Sequence, residues 1–300
     1  MQNSNLKISV AIPTYNAEAH IEACLSSVKE QVGVDLDQIE ILVVDDSSTD
    51  NTWDLIQRSG VRSFQNKTNL GLTGNWNIAV ESASAPIVVQ LHQDDQLLPG
   101  VLKAAIEIFK DPSVAFLAFS QMHEVPKPWN ECGSFTGSEY FHYLLNFKEC
   151  PPPSCTFFRR DLLKDPPFYD PAYSFCPEFD LYLRLARDNP ENRFVQDERP
   201  LILRGTSESQ FSKNYFHLGL IDKIHLYHAY EGMLSAKDRK MSSSELTKTI
   251  DRGIGILLHQ NRWTQVRSMF KDPRSRKWLL KNFLKLHLAI RTGLSRTIKR

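Results

Sequence analysis

Three short polar clusters in the N-terminal half hold residue types suited to chemistry: Pro13-Thr14-Tyr15-Asn16, Asp45-Asp46-Ser47-Ser48 and His92-Gln93-Asp94-Asp95. The adjacent acids Asp94 and Asp95 repel one another unless a cation or ordered water intervenes. Oxygen donors of this kind suit Mg2+ or Mn2+, which keep several waters and bridge to phosphates. Taken alone, the same pair also reads as a solvated turn. A fourth segment, Pro177-Glu178-Phe179-Asp180, opens a helical stretch, proline suiting the first turn because its missing N–H is not needed there. The patterns GxGxxG and GxxxxGK[ST] do not occur, which removes the main support for a dinucleotide or P-loop site.

Each N-terminal cluster follows an apolar run. Residues 7–12, 39–44, 61–65, 87–91 and 114–119 read as strands, and 17–31, the stretch around 53–56, 74–83 and 98–109 as helices. Ser47 and Asp50 have the spacing of a capping box for the second helix. Alternating strands and helices imply an α/β fold, a mostly parallel sheet flanked by helices on both faces. In such sheets ligands sit beyond the carboxyl ends of the strands, which is where the three clusters fall. Past residue 120 the pattern loosens, with a strand at 156–158 and a helix at 178–187. After residue 210 it is helical only, over 215–234, 244–259 and 277–298.

Composition narrows the classes. Apolar residues make up 41% and charged residues 24%, enough for a sizeable core and against wholesale disorder. The net charge of +1 gives no sign of a nucleic-acid binder. The longest apolar run, Val114 to Phe119, is far short of the roughly 18 residues of a membrane span. The opening MQNSNLK lacks the apolar region of a signal peptide. Five cysteines without a CxxC pair read as free thiols in a reducing cytoplasm, although Cys150 and Cys155 flank a proline loop and could approach each other. Charge is uneven: residues 271–300 hold ten Lys or Arg against the single acid Asp272. Leu279, Phe283, Leu286, Ile290 and Leu294 share one helical face there, with Trp278 near its start. Such a helix fits an anionic membrane surface, or packs on the rest of the chain with its lysines solvated.

Five motifs, in order, resemble the inverting family 2 glycosyltransferases of the GT-A, Rossmann-like fold. They are Ile8 to Asn16, Val43 to Asp50, Asn69-Leu70-Gly71 with Asn77, Leu91 to Asp95, and, farther on, Thr156 to Arg160 with Pro177 to Leu185. The resemblance covers roughly residues 6–212. It implies a catalytic domain over 1–212, with a nucleotide-sugar half to about residue 120 and an acceptor half over 121–212, followed by a helical extension over 213–300. It implies a nucleotide-diphosphate sugar donor and a glycan or lipid-linked acceptor. The setting it implies is surface glycan assembly in the cytoplasm, at the inner face of the cell membrane. On the nucleotide side it implies Pro13, Thr14 and Tyr15 bordering the base, Asp46 accepting from base or ribose, Gly71 letting the backbone approach, and Asn77 supporting the wall. Asp94 would meet the ribose or metal, and Asp95 would be the metal ligand that holds the diphosphate.

Two departures stand out. His92 occupies the place of the first acid in the family's Asp-x-Asp pattern, either as a structural histidine or as a metal ligand. The stretch Arg204 to Gln210 lacks the histidine that many relatives carry. An inverting displacement needs one carboxylate to take the acceptor's proton, and charge neutralisation at the departing diphosphate. Glu178 is the expected base and Asp180 the alternative; both could instead be first-turn acids favoured by the helix dipole. Two other classes are a sugar-phosphate nucleotidyltransferase, which needs a glycine-rich basic loop after the first strand, and a non-catalytic binding module.

Overall fold

The computed structural model describes residues 7–122, 126–127, 131–147, 149–164, 166–205 and 211–282. In chain order the first half holds β1 (Ile8–Thr14), α1 (Ile21–Lys29), β2 (Ile39–Asp45), α2 (Thr52–Ser59), β3 (Arg62–Gln65), α3 (Gly71–Ser82), β4 (Ile87–Gln90), β5 (Gln96–Leu97), α4 (Val101–Ile108) and β6 (Val114–Met122). Then come β7 (Pro126–Lys127), β8 (Gly133–Thr136), α5 (Gly137–Leu145), β9 (Thr156–Arg159), α6 (Pro177–Asp188) and β10 (Arg193–Leu203). The last part is helical: α7 (Phe211–Tyr230), α8 (Ala236–His259), α9 (Trp263–Lys271) and α10 (Pro273–Asn282).

One sheet runs β3-β2-β1-β4-β9-β6-β10-β5, with β7 on β6 and β8 on β10. Strands β1 to β4 pair in parallel, as do β6 and β10. Strand β9 lies antiparallel between β4 and β6. It follows that β1, β2, β3, β4, β6 and β10 all point one way. The α/β class is therefore as expected, with antiparallel strands β5, β7, β8 and β9 worked into the second half of the sheet. The apolar runs form the core: β1 is buried along its whole length, and Val88, Val89 and Val114 to Phe119 are almost fully enclosed. Strands enclosed on both faces read as continuous apolar runs rather than alternating ones.

This topology sets the functional edge. The carboxyl ends of β1, β2, β4 and β10 lie on one side of the sheet. Because β9 is reversed, its first residue, and the short 3-10 turn Pro153–Cys155 before it, lie on that same side.

The chain divides into two compact units. The first comprises residues 1–144, 149–173 and 177–210, and the second 145–148, 174–176 and 211–300. Within the second, Leu220, Ile224, Leu246, Ile250, Leu257, Met269 and Leu279 form the helical core. Trp278, expected at a membrane interface, is buried there, 4% exposed. Residues Phe283 to Arg300, which carry most of the expected amphipathic face, lie outside the described residues. Six elements had no counterpart in the sequence reading: β5, β7, β8, α5, β10 and α9. The capping box is also corrected. Ser47 sits in a left-handed turn at φ 62°, and Asp50 accepts from the N–H and hydroxyl of Thr52 at the start of α2. None of the five cysteines is in a disulfide.

Candidate active site

The β1 and β2 ends are stitched together before any ligand is considered. Asn16, at φ 49°, accepts from the Thr49 N–H at 2.9 Å, and its own N–H donates to Ser48 Oγ at 2.9 Å. Asp45 is fully buried and accepts from Thr14, Ser48 and Gln65. These bonds leave it to orient the loop.

Asp46 braces a helix. Helix α3 has no capping side chain of its own at Leu70. Asp46 supplies one from across the loop, accepting from the N–H groups of Leu70 at 2.8 Å and Gly71 at 2.9 Å, and from Asn66 at 2.9 Å. The Leu70 and Gly71 N–H groups are helix-start donors with no partner inside the helix, and Asn69 Oδ1 shares the Gly71 N–H at 3.0 Å. Three of the roughly four lone-pair sites of the carboxylate are thus filled. Gly71 adopts φ 75°, with nothing within 4 Å of where a Cβ would stand. Glycine is required there by the backbone conformation, and the position is open as well.

Of the expected base-side residues, Pro13 and Thr14 are enclosed in β1. The Thr14 hydroxyl is spent on Asp45 and the Val44 carbonyl. Tyr15 is 43% exposed and so offers the ring surface. Gln93 clamps it from both sides: its Oε1 accepts from the Tyr15 N–H at 2.7 Å and its Nε2 donates to the Tyr15 carbonyl at 3.1 Å. Asn77 grips Tyr169 in the same way, through two bonds of 2.8 Å to its backbone.

At the β4 end the two acids separate in role. His92, Asp94 and Asp95 offer ligand atoms within 4.8 Å of one another. Asp95, expected to be the metal ligand, is fully buried. It accepts from Ser154 Oγ, from Arg204 Nη1 and from the Gly205 N–H at 2.9 Å. Its charge is already met by a guanidinium. Asp94 is half-buried and reaches solvent. Burial, together with the Arg204 charge, draws His92 down from its usual 6.5 to about 3. The ring is therefore neutral, and its buried Nε2 has no hydrogen-bond partner among the described residues.

Trp76 of α3 joins this end of the site to Tyr169, in the segment before α6. Its ring packs on His92 with centroids 5.0 Å apart and meets Tyr169 edge-on at 5.2 Å. Burial and the charge of Glu178 raise Tyr169 well above an ordinary phenol, so its hydroxyl stays protonated. Glu178 is half-buried in the first turn of α6. Asp180 is committed elsewhere. It is 4% exposed and accepts from Arg184 Nε at 2.7 Å.

Sequence reasoning missed Gln93, Trp76, Ser154 and Arg204 as parts of the site. For Arg204 there was one signal, its place in the stretch where a histidine was sought. Ser154 carried none, since only the reversal of β9 brings it here.

Known proteins of related sequence and shape can be set beside this geometry. A GalNAc(5)-diNAcBac-PP-undecaprenol beta-1,3-glucosyltransferase of Campylobacter jejuni is 33% identical over 107 residues, 34% of this chain and 34% of that one. TarS 1-349 of S. aureus, solved in complex with UDP-GlcNAc, superposes with a TM-score of 0.65 at 20% identity, over 83% of this chain and 73% of that one. Mannosyltransferase PcManGT from Pyrobaculum calidifontis, solved in complex with GDP-Man and Mn2+, gives 0.57 at 15% identity, over 95% and 85%. At these identities the structural likeness bears on the fold alone. The chain spans about a third of the length of the curated relatives it matches first. Residues 9–165, just over half of the chain, match the family described as glycosyl transferase family 2, and the chain belongs to that family.

Proposed function

We propose that the protein is an inverting glycosyltransferase that moves one sugar from a nucleotide-diphosphate sugar to an acceptor hydroxyl in surface glycan assembly. The observation that carries this reading is Trp76, whose ring meets both His92 and Tyr169, the latter a residue on which the Glu178 charge is felt. It links a cation-suited acid cluster at the sheet edge to a separate carboxylate at a helix start. An in-line displacement at the anomeric carbon asks for that division, with leaving-group charge on one side and proton removal on the other.

Tyr15 offers its ring to the base, and Gln93 fixes the turn that presents it. Asp46, only 2% exposed, serves the nucleotide side by holding the start of α3 in place. Gly71 keeps the backbone there open, and Asn77 holds the Tyr169 segment as the wall. Glu178 takes the acceptor proton, while Asp180 stays with Arg184.

The donor set fits a divalent cation: a solvent-reaching carboxylate on Asp94 and, on a neutral His92, a nitrogen without a partner among the described residues. Asp94 and His92 would hold it, with Asp95 as a buried neighbour already paired to Arg204. A bound Mg2+ or Mn2+ supplies charge neutralisation for the departing diphosphate. The acceptor class, a glycan or a lipid-linked sugar, is supported by the undecaprenol-linked substrate in the name of the Campylobacter relative. Family membership sets the nucleotidyltransferase alternative aside.

The test is a thermal-shift panel of UDP, GDP, CDP and dTDP with and without Mn2+. Ligand at about 100 times its Kd stabilises the fold by about 2.7 kcal/mol. One diphosphate should raise Tm, and Mn2+ should increase the effect. Absence of a shift with every nucleotide would overturn the reading.

A further inference from the structure

The turn between β4 and β5 carries Asp94 and Asp95, yet the groups that fix it come from distant strands. Ser154, just before β9, donates to Asp95 Oδ2 and accepts from the His92 N–H at 2.9 Å. Arg204 follows β10, and its backbone N–H is anchored on the Met122 carbonyl at the end of β6 at 2.8 Å. Its guanidinium donates to Asp95 Oδ2 and reaches Ser154 Oγ at 3.4 Å. Gly205 adds its N–H on Asp95 Oδ1. There is also no room at 205: a Cβ would collide with the carbonyl of Asp94. Two neighbouring residues at one strand end therefore grip both acids, one through charge and one through close backbone contact.

We propose that Arg204 and Gly205 are positioning residues for Asp94, locking Asp95 into the protein so that the Asp94 carboxylate stands toward the donor diphosphate and its cation. This rests on the glycosyltransferase reading above. Both bonds leave one nitrogen, Nη1, so what the position takes from arginine is a permanent charge on a stiff planar group, which a lysine ammonium on its flexible stem supplies only in part. The geometry separates this from a competing role, in which Arg204 merely occupies a place that a cation would otherwise take on Asp95. Loss of the guanidinium weakens cation-dependent binding under the first account and strengthens it under the second.

The experiment uses the full chain with UDP as probe, followed by calorimetry with and without Mn2+ and by Mn2+ electron paramagnetic resonance. If another nucleoside diphosphate is the one that stabilises the wild type, that diphosphate replaces UDP. Arg204→Met and Gly205→Ala are compared at a temperature where circular dichroism shows each folded. The expected result is at least a tenfold loss of the Mn2+-dependent gain in affinity in both variants, metal-free affinity within twofold of wild type, and an intermediate loss for Arg204→Lys. Should Arg204→Met not fold, Gly205→Ala, which removes no charge, carries the same expectation. Tighter Mn2+ binding in Arg204→Met, or an unchanged Mn2+ gain in Gly205→Ala, overturns the proposal alone. A wild type that binds no nucleoside diphosphate overturns the glycosyltransferase reading and this inference with it.

Discussion

Arg184 Nε donates to Asp180 Oδ2 at 2.7 Å, one turn along α6, and its Nη2 continues to the Phe168 carbonyl. The pair ties the first turn of α6 to the segment that leads into Tyr169. It also separates two carboxylates that stand only two residues apart. Asp180 is enclosed and committed, whereas Glu178 is half-exposed at the helix start.

Glu178→Gln preserves shape and removes basicity. We expect kcat to fall by about 10²–10⁴, the usual share of general base catalysis, with donor affinity and Tm close to wild type. Asp180→Asn should act through stability, by about 1.5–3 kcal/mol, the range for hydrogen bonds to charged groups. Turnover assays beside urea titrations check both. Normal turnover in Glu178→Gln would exchange the assignments.

The acid pair at the end of β4 should split in the same manner. Asp94→Ala is expected to keep the wild-type Tm and to lose Mn2+-dependent nucleotide binding, and EDTA should reproduce that loss in the wild type. Asp95→Asn leaves the Arg204 guanidinium without its carboxylate and should lower stability by about 1.5–3 kcal/mol. Calorimetry with and without chelator distinguishes the two variants. A stable Asp95→Asn that has lost the cation would return the ligand role to Asp95.

These distinctions show what the sequence could carry. Apolar runs such as Ile39 to Val44 and Val114 to Phe119 announce buried strands because enclosure on both faces demands continuous apolar character. The polar residues after them mark the sheet edge for the same reason. The resemblance gave the metal to Asp95 and the base to Glu178 ahead of Asp180, but residue type alone could not test either choice, since the members of each pair differ in their partners. Arg204 is brought in by the pairing of β10 with β6, whereas Arg184 stands four residues from Asp180 on α6 itself, a spacing the sequence displays. Strand β10 was missed because Asp197, Glu198, Arg199 and Pro200 interrupt it. Its register with β6 shifts at that point, where a bulge absorbs residues that an unbroken ladder would exclude.

Asp222 gives a pH expectation with an unusual sign. It is fully buried on α7 and accepts from the N–H groups of Phe175 and Cys176 at 2.7 and 3.2 Å. Burial raises it above the normal carboxylate value of 3.8, opposed only in part by those bonds and by Arg274. The folded chain therefore holds this proton to higher pH than the unfolded chain does. Stability from this residue is full below the unfolded pKa and is lost as pH rises through the folded one. The slope is at most about 1.4 kcal/mol per pH unit for one proton. Asp50, Asp111, Asp188 and Asp197 are lowered and act in the opposite sense, so the quantity to compare is the difference between wild type and Asp222→Asn. Urea midpoints from pH 4 to 7 should show the variant gaining on the wild type as pH rises. Parallel curves would mean that Asp222 does not titrate in this window.

The basic C-terminal segment yields a prediction whose boundary the structure moves. Trp278 and Leu279 are buried in α10, at 4% and 0% exposed, so neither is available to a bilayer. A cut after Phe270 would remove part of a helical core, since burying one large apolar side chain is worth about 1.5–3 kcal/mol. The informative cut falls after Asn282. Residues 283–300 hold five Lys or Arg and no acid, with Phe283, Leu286, Ile290 and Leu294 at helical spacing. Each basic residue near an anionic surface contributes about 1 kcal/mol, and the apolar positions add insertion into the headgroup boundary. We expect the full chain to sediment with vesicles containing phosphatidylglycerol, to remain in the supernatant with neutral vesicles, and to be released as salt is raised. The chain ending at Asn282 should stay in the supernatant throughout and keep the wild-type Tm. Equal recovery of both chains in the supernatant at low salt, with a lower Tm for the shorter one, would instead assign residues 283–300 to the packing of the helical unit.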